Sequence, residues 1–244
     1  MSDMSELPEF VSPRDLLTII ESFSVTDRGR QTQIGVSEVG MLCQRCVVRK
    51  LANLPKTQEV GSWRAQLGTY VHGGLAEEFE SRFADSGRVL IEQSLTVHTY
   101  KDFVLRGSCD AFFPNDGRGL VADWKIVGDD TLEAVRSGNI KQQYIVQGNL
   151  YALGWELQGY KVETVALMFL PANKGNLQRD AVPVEFPYDP LIAAQALAKI
   201  ENYIDQAEEI GWKELLMQQA RHSGCFSCKQ YEAVDNPIND LLLR

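Results

Sequence analysis

The segment DFVLRGSCDAFFPNDGRGLVADWKIV, residues 102–127, decides how this chain folds. Its two apolar arms are rich in branched and aromatic residues, which suit a pleated, half-buried surface. Between them, PNDGRG is turn chemistry, so the arms are expected to pair as an antiparallel hairpin. With the turn centred on Asp116 and Gly117, Asp110 falls directly opposite Asp123. Opposed side chains lie roughly 5 Å apart on one face of a sheet. Lys125 returns to that face because strand side chains alternate. Ala122, Trp124 and Ile126 take the other face, suited to burial against a helix.

Two facing carboxylates repel each other unless one is protonated or a cation lies between them. Mg²⁺ or Mn²⁺ satisfies such a pair through oxygen ligands. A lysine beside the ion can orient and deprotonate water while the ion stabilises charge on phosphoryl oxygens. A lone D-x-K also recurs by accident in exposed hairpins, so its weight comes from what surrounds it. One such neighbour is His72 in GTYVHGGLAEEFE, on a helix expected from about Ser62 through AEEFESRF. Gly68, Thr69 and Ala76 beside it are small enough to let another element approach, and a neutral imidazole can ligate a metal. The other neighbour is the pair Gln147 and Tyr151, which share one face of a helix expected from about Gln142 to Gly159. An amide and a phenol on one ridge can hold a phosphate or the lysine.

The remaining pattern frames these motifs. Helices are expected after Pro13, from Ser37 through SEVGMLCQRCVVRKLANL, and from Pro190 to about Arg221. VLIEQSLTVHTY, VETVALMFL and RDAVPVEF read as further strands. The fold class expected is α/β (α+β mixed), a central mixed sheet flanked by helices in one domain over 1–244.

At 44% hydrophobic content, 244 residues can bury a sizeable core. No apolar run reaches membrane-spanning length, and the start MSDMSELPEF is acidic and polar, so a cytoplasmic protein with reduced thiols and no membrane partner is expected. A net charge of −9 argues against general electrostatic coating of nucleic acid. A DNA path would have to be local. Arg45, Arg49, Lys50, Lys56 and Arg64 form a candidate strip, with a solvated helix face as the alternative.

Four of the five cysteines make two C-x-x-C pairs, Cys43 with Cys46 and Cys225 with Cys228. Four thiolates suit a cubane iron–sulfur cluster or a tetrahedral zinc. The gap between the pairs far exceeds that of a zinc ribbon, so the expected role is a staple between segments 37–54 and 222–230. Cys109 is expected in the core.

GTYVH at 68–72, GSCD at 107–110, DWK at 123–125 and QGNLY at 147–151 occur in the order found in RecB-like nucleases of the PD-(D/E)XK superfamily, which the chain resembles over about residues 35–230. The resemblance implies a restriction-endonuclease-like core over about 62–190. It implies that His72, Asp110, Asp123 and the backbone carbonyl of Ile126 hold Mg²⁺ or Mn²⁺. It makes Lys125 the catalytic lysine, with Gln147 and Tyr151 as the accessory helix motif. Asp123 stands where Glu is commoner in such nucleases. With its cysteines the chain also resembles the CRISPR-associated iron–sulfur exonucleases (the Cas-four family) and their phage-encoded relatives. A 4Fe-4S cluster is thereby implied, with structural Zn²⁺ as the alternative. Those families place one cysteine before the core and three after it, whereas here the division is two and two.

The activity this resemblance implies is metal-dependent DNA exonuclease action on single-stranded ends, 5′-to-3′, in phage or prokaryotic recombination, repair or CRISPR-type processing. DNA and recombination or CRISPR proteins are the implied partners. A non-catalytic DNA-binding or assembly module and an endonuclease on the same fold are the alternatives.

Overall fold

The computed structural model describes residues 33–54, 62–223, 225, 227 and 228. The helix expected after Pro13 lies outside them. Five strands form one mixed sheet in the order β1-β2-β3-β4-β5. They are β1 (Leu90–Tyr100), β2 (Phe103–Phe113), β3 (Gly119–Val127), β4 (Val162–Pro171) and β5 (Val182–Pro187). β2 and β3 pair antiparallel with Ala111 opposite Ala122 and Phe113 opposite Leu120, the register obtained by centring the turn on Asp116 and Gly117. Asn115, Asp116 and Gly117 all take positive φ there, 44°, 51° and 86°, which these residue types tolerate better than branched ones. β4 runs parallel to β3. A parallel neighbour needs a crossover, supplied here by α4 (Asp129–Arg136) and α5 (Gln142–Leu157).

Alternation along β2 and β3 separates two cores. On one face α5 and α7 (Pro190–Ile210) cover Leu105, Phe112, Val121 and Val165, with Leu150, Trp155 and Ile200 from the helices fully buried or nearly so. Trp155 stacks on Phe112 at 4.3 Å between ring centres. On the other face α3 (Trp63–Phe83) lays Leu75 and Phe79 against Ala111, Ala122 and Trp124, and Phe79 stacks on Trp124 at 5.9 Å. Ser62 caps α3 as its N-terminal residue, its Oγ accepting from the Ala65 N–H.

Three local departures from the sequence pattern have physical causes. The helix expected from Ser37 is two helices, α1 (Val36–Val39) and α2 (Gln44–Leu51). The break falls at Gly40, where any Cβ would sit 2.8 Å from the Gln143 backbone and 2.9 Å from Val146, so the chain crosses α5 in contact. The helix expected from Pro190 to Arg221 ends at Ile210, because Gly211 takes φ 85° and starts α8 (Trp212–Gln218). Residues 129–136, which carried no assignment, form α4. A short helix α6 (Leu177–Asp180) precedes β5. Among the described residues, no helix is long and apolar enough to cross a membrane.

The QGNLY segment docks α5. Gly148 lies where a Cβ would meet Val165 at 2.5 Å. Asn149 is fully buried; its Nδ2 donates to the Ile145 carbonyl and its Oδ1 accepts from the Asp189 N–H at 2.8 Å. Asp189 in turn caps α7 through the Leu191 N–H. Gly148→Ala is therefore expected to lower stability by about 1–3 kcal/mol through overpacking, read as an earlier urea midpoint. An unchanged midpoint would show that α5 does not sit this close to β4.

Candidate active site and cysteine cluster

The hairpin brings Asp110 and Asp123 together deep in the sheet, the latter only 1% exposed. Asp110 reaches in two directions. Its Oδ2 accepts from the Trp124 N–H at 2.7 Å, and its Oδ1 lies 3.2 Å from His72 Nδ1 on α3. Gln147 binds the other acid and the lysine at once. Its Nε2 donates to Asp123 Oδ1 and its Oε1 accepts from Lys125 Nζ, both at 2.9 Å. Lys125 Nζ also forms an ion pair with Asp123 Oδ2, an oxygen buried from solvent. A hard cation takes carboxylate oxygens and a neutral imidazole as ligands, and Asp110 and Asp123 with His72 beside them offer that chemistry to Mg²⁺ or Mn²⁺.

Burial pushes the Asp123 carboxyl up to about 6, with Lys125 pulling it down and Asp110 pushing it further up. The contact with Asp110 raises the His72 imidazole above its usual range, against the effect of burial. Tyr151 is buried below Gly107 on the same cleft wall, and burial raises its phenol well above the ordinary value. His72, Asp110, Gln147 and Tyr151 line a cleft of about 770 Å³ that opens between α3, α5 and the β1–β2 edge. Ile126 follows Lys125 in β3 and lines the adjoining cleft with Arg64, Leu67 and Asp129.

Two residues of this cleft carried no sequence signal. Glu92 sits in β1 with φ 47°, between the paired residues Ile91 and Gln93, and its Oε2 accepts from Ser108 Oγ. Ligand atoms of His72, Glu92 and Asp110 all lie within 4.8 Å of one another. A left-handed acid inside a strand leaves no trace in an alternating pattern, although such strain gathers at functional sites. Arg106 is exposed on the same rim. It is a better placed cation than the strip chosen from sequence. Of that strip, Arg45 donates to the Leu216 and Gln219 carbonyls, Arg49 is fully buried, and Lys50 pairs with Glu38 at 2.5 Å. These three are neither a DNA path nor a solvated face. Arg64 is exposed, and Lys56 lies outside the described residues.

The two C-x-x-C pairs meet. Cys43 is the N-cap of α2 and Cys46 lies in its first turn. Cys228 Sγ is 3.5 Å from Cys43 Sγ and 3.4 Å from Cys46 Sγ, and Cys225 Sγ is 3.7 Å from Cys46 Sγ. Four thiols this close cannot all ionise without a cation among them, and they titrate unequally. Burial raises Cys46 and Cys225. At Cys43 burial also acts upward, but the His222 and Cys46 backbone donors together with the Cys228 and Cys46 thiols outweigh it and lower the thiol to about 7. Cys109 lies apart in the core, accepting from Trp155 Nε1 at 3.4 Å.

A five-stranded mixed sheet with helices on both faces, two acids and a lysine on its central strands and an amide reaching them from α5 is the class this structure defines. No family model matches the chain, and no curated protein does. Solved structures do share the fold. The protein SSO0001 superposes with a TM-score of 0.52 at 16% identity, over 78% of this chain and 86% of that one. An alkaline exonuclease from Laribacter hongkongensis gives 0.51 at 16% identity, over 75% and 93%. A phage-related exonuclease from Haemophilus somnus 129PT gives 0.50 at 14% identity, over 72% and 95%.

The raised Asp123 carboxyl sets a sign for stability. An unfolded aspartate ionises near pH 4, whereas this one does so near 6. The folded protein therefore holds the extra proton between those values, and stability falls as pH rises from about 4 to 6 and stays reduced above. In protein freed of Mg²⁺ and Mn²⁺, Asp123→Asn is expected to flatten that slope. Above pH 6 it should raise the melting temperature by a few degrees, at most about 3 kcal/mol. Thermal melts from pH 4 to 8 check this, and a parallel downward shift at every pH would refute it.

Proposed function

We propose that this chain is a Mg²⁺- or Mn²⁺-dependent DNA exonuclease of the PD-(D/E)XK type, acting on single-stranded ends. The observation that carries the proposal is the Gln147 amide holding Asp123 and Lys125 together beside Asp110 and His72. Two of the proteins that share the fold are described as exonucleases, and the alkaline exonuclease is also known with bound dAMP, which supports the substrate class.

His72, Asp110, Asp123 and the Ile126 carbonyl are the proposed ligands, with Glu92 in reach of the same Asp110 and His72 atoms. The bound cation supplies Lewis-acid stabilisation of the charge that develops on the phosphoryl oxygens. Lys125 orients the attacking water and shares its proton. Gln147 binds both members of the Lys125–Asp123 ion pair and so keeps the lysine ammonium and the carboxylate in fixed register. Arg106, on the exposed rim, holds a backbone phosphate. The 5′-to-3′ direction belongs to the same proposal.

Digestion of 5′- and 3′-labelled single and double strands with Mg²⁺ and with Mn²⁺ tests this. The parent should release nucleotides from linear single strands and leave circular single strands intact. Asp110→Ala and Asp123→Ala should be inactive, and Lys125→Ala slower by about 10²–10⁴-fold. Gln147→Ala should lose about 10²-fold through misplacement of the lysine, and Glu92→Gln should need more metal for half-maximal rate. Cleavage of closed circles would instead establish an endonuclease. DNA binding without cleavage, unaffected by either aspartate, would establish a binding module.

A further inference from the structure

We infer that Cys43, Cys46, Cys225 and Cys228 hold a single tetrahedral Zn²⁺, not the iron–sulfur cubane that the resemblance implies. The inference stands apart from the nuclease proposal, since it concerns only the cysteine staple.

The spacing of the sulfurs decides between the two groups. Around one zinc, four thiolates at about 2.3 Å from the ion form a tetrahedron with edges of about 3.8 Å. Around a cubane each thiolate binds a different iron, which spreads the four sulfurs to roughly 6 Å. Here the three closest pairs stand at 3.4, 3.5 and 3.7 Å, and all four sulfurs lie within 4.8 Å of one another. The cage matches a single ion and is too tight for four irons and their sulfides.

Its walls resist widening. Cys46 is completely buried and Cys43 and Cys228 nearly so, with Met41 packed against the group. Cys43 and Cys46 are bound into one turn by the Cys46 and Val47 N–H groups donating to the Cys43 carbonyl. Spreading the sulfurs by about 2–3 Å, as a cubane needs, would have to displace the buried side chains packed around them. Arg45 ties the first turn of α2 to the C-terminal end of α8 through the Leu216 and Gln219 carbonyls, just before the segment that carries Cys225 and Cys228. The two-and-two division of ligands is also that of C-x-x-C zinc sites, whereas the iron–sulfur exonucleases place one and three.

Zinc binding here transfers no electron. Each of the four thiols gives its proton to solvent, and four Zn–S bonds form.

The test is purification of the full chain under anaerobic conditions from cells supplied with both iron and zinc, followed by metal and acid-labile sulfide analysis. About one zinc per chain, a colourless solution, and tetrahedral thiolate bands after exchange for Co²⁺ are expected. Brown protein carrying about four irons and four sulfides overturns the inference, and so does metal-free protein with all four thiols free to react. Cys225→Ser, which changes the most exposed ligand, should lower the melting temperature and release zinc faster to a chelator. If that variant does not fold, the zinc content and cobalt spectrum of the parent decide alone.

Discussion

Two carboxylates buried side by side are the constraint on which this structure turns. Pairing β2 with β3 in the register of Ala111 against Ala122 leaves Asp110 and Asp123 with little water and each other for company. Such a placement persists only if surrounding groups answer every polar atom. The Trp124 N–H, His72, Gln147 and Lys125 each answer one of the four carboxylate oxygens. The helices that supply them are held by the same packing that builds the two cores. Phe79 on Trp124 fixes α3 and therefore His72. Gly148 against Val165 and Asn149 against Asp189 fix α5 and therefore Gln147.

How much of this was legible in the sequence follows from how local each signal is. The hairpin register needed only a turn of Pro, Asn, Asp and Gly and the alternation of its arms. The pairing of Gln147 with Tyr151 on one helix face needed only the helical repeat, and what the face meets is Asp123 and Lys125. Positions set by distant contacts were not legible. Gly40 breaks a helix because α5 passes beside it, and nothing within the local sequence records that neighbour. Arg45 looked like a solvent-facing cation but spends its guanidinium on carbonyls of α8, far along the chain. Glu92 depends on one left-handed residue between two regular pairs of β1 and β2. The sulfur spacing of the staple is a tertiary quantity altogether, so composition left zinc and iron–sulfur open.

The staple and the cleft divide the work of the fold. The cysteines tie α2 to the segment after α8, and α7 and α8 close over the same core that α5 packs into. α5 then carries Gln147 to the acids. Loss of the staple should accordingly act on the site through the seating of α5, whereas loss of an acid leaves the packing intact. The four staple cysteines and the acids of the cleft share no side chain, so each group can be changed by substitution without altering the other.

The most direct measurement of the central claim is Mn²⁺ binding followed by electron paramagnetic resonance at neutral pH, on the parent and on Asp110→Asn and Asp123→Asn. A Mn²⁺ ion bound at the hairpin should be immobilised in the parent and released to solution in both variants, while the folded state of each is retained. Equal binding in all three proteins would contradict the account, since the two acids would then be buried without the cation that their arrangement calls for.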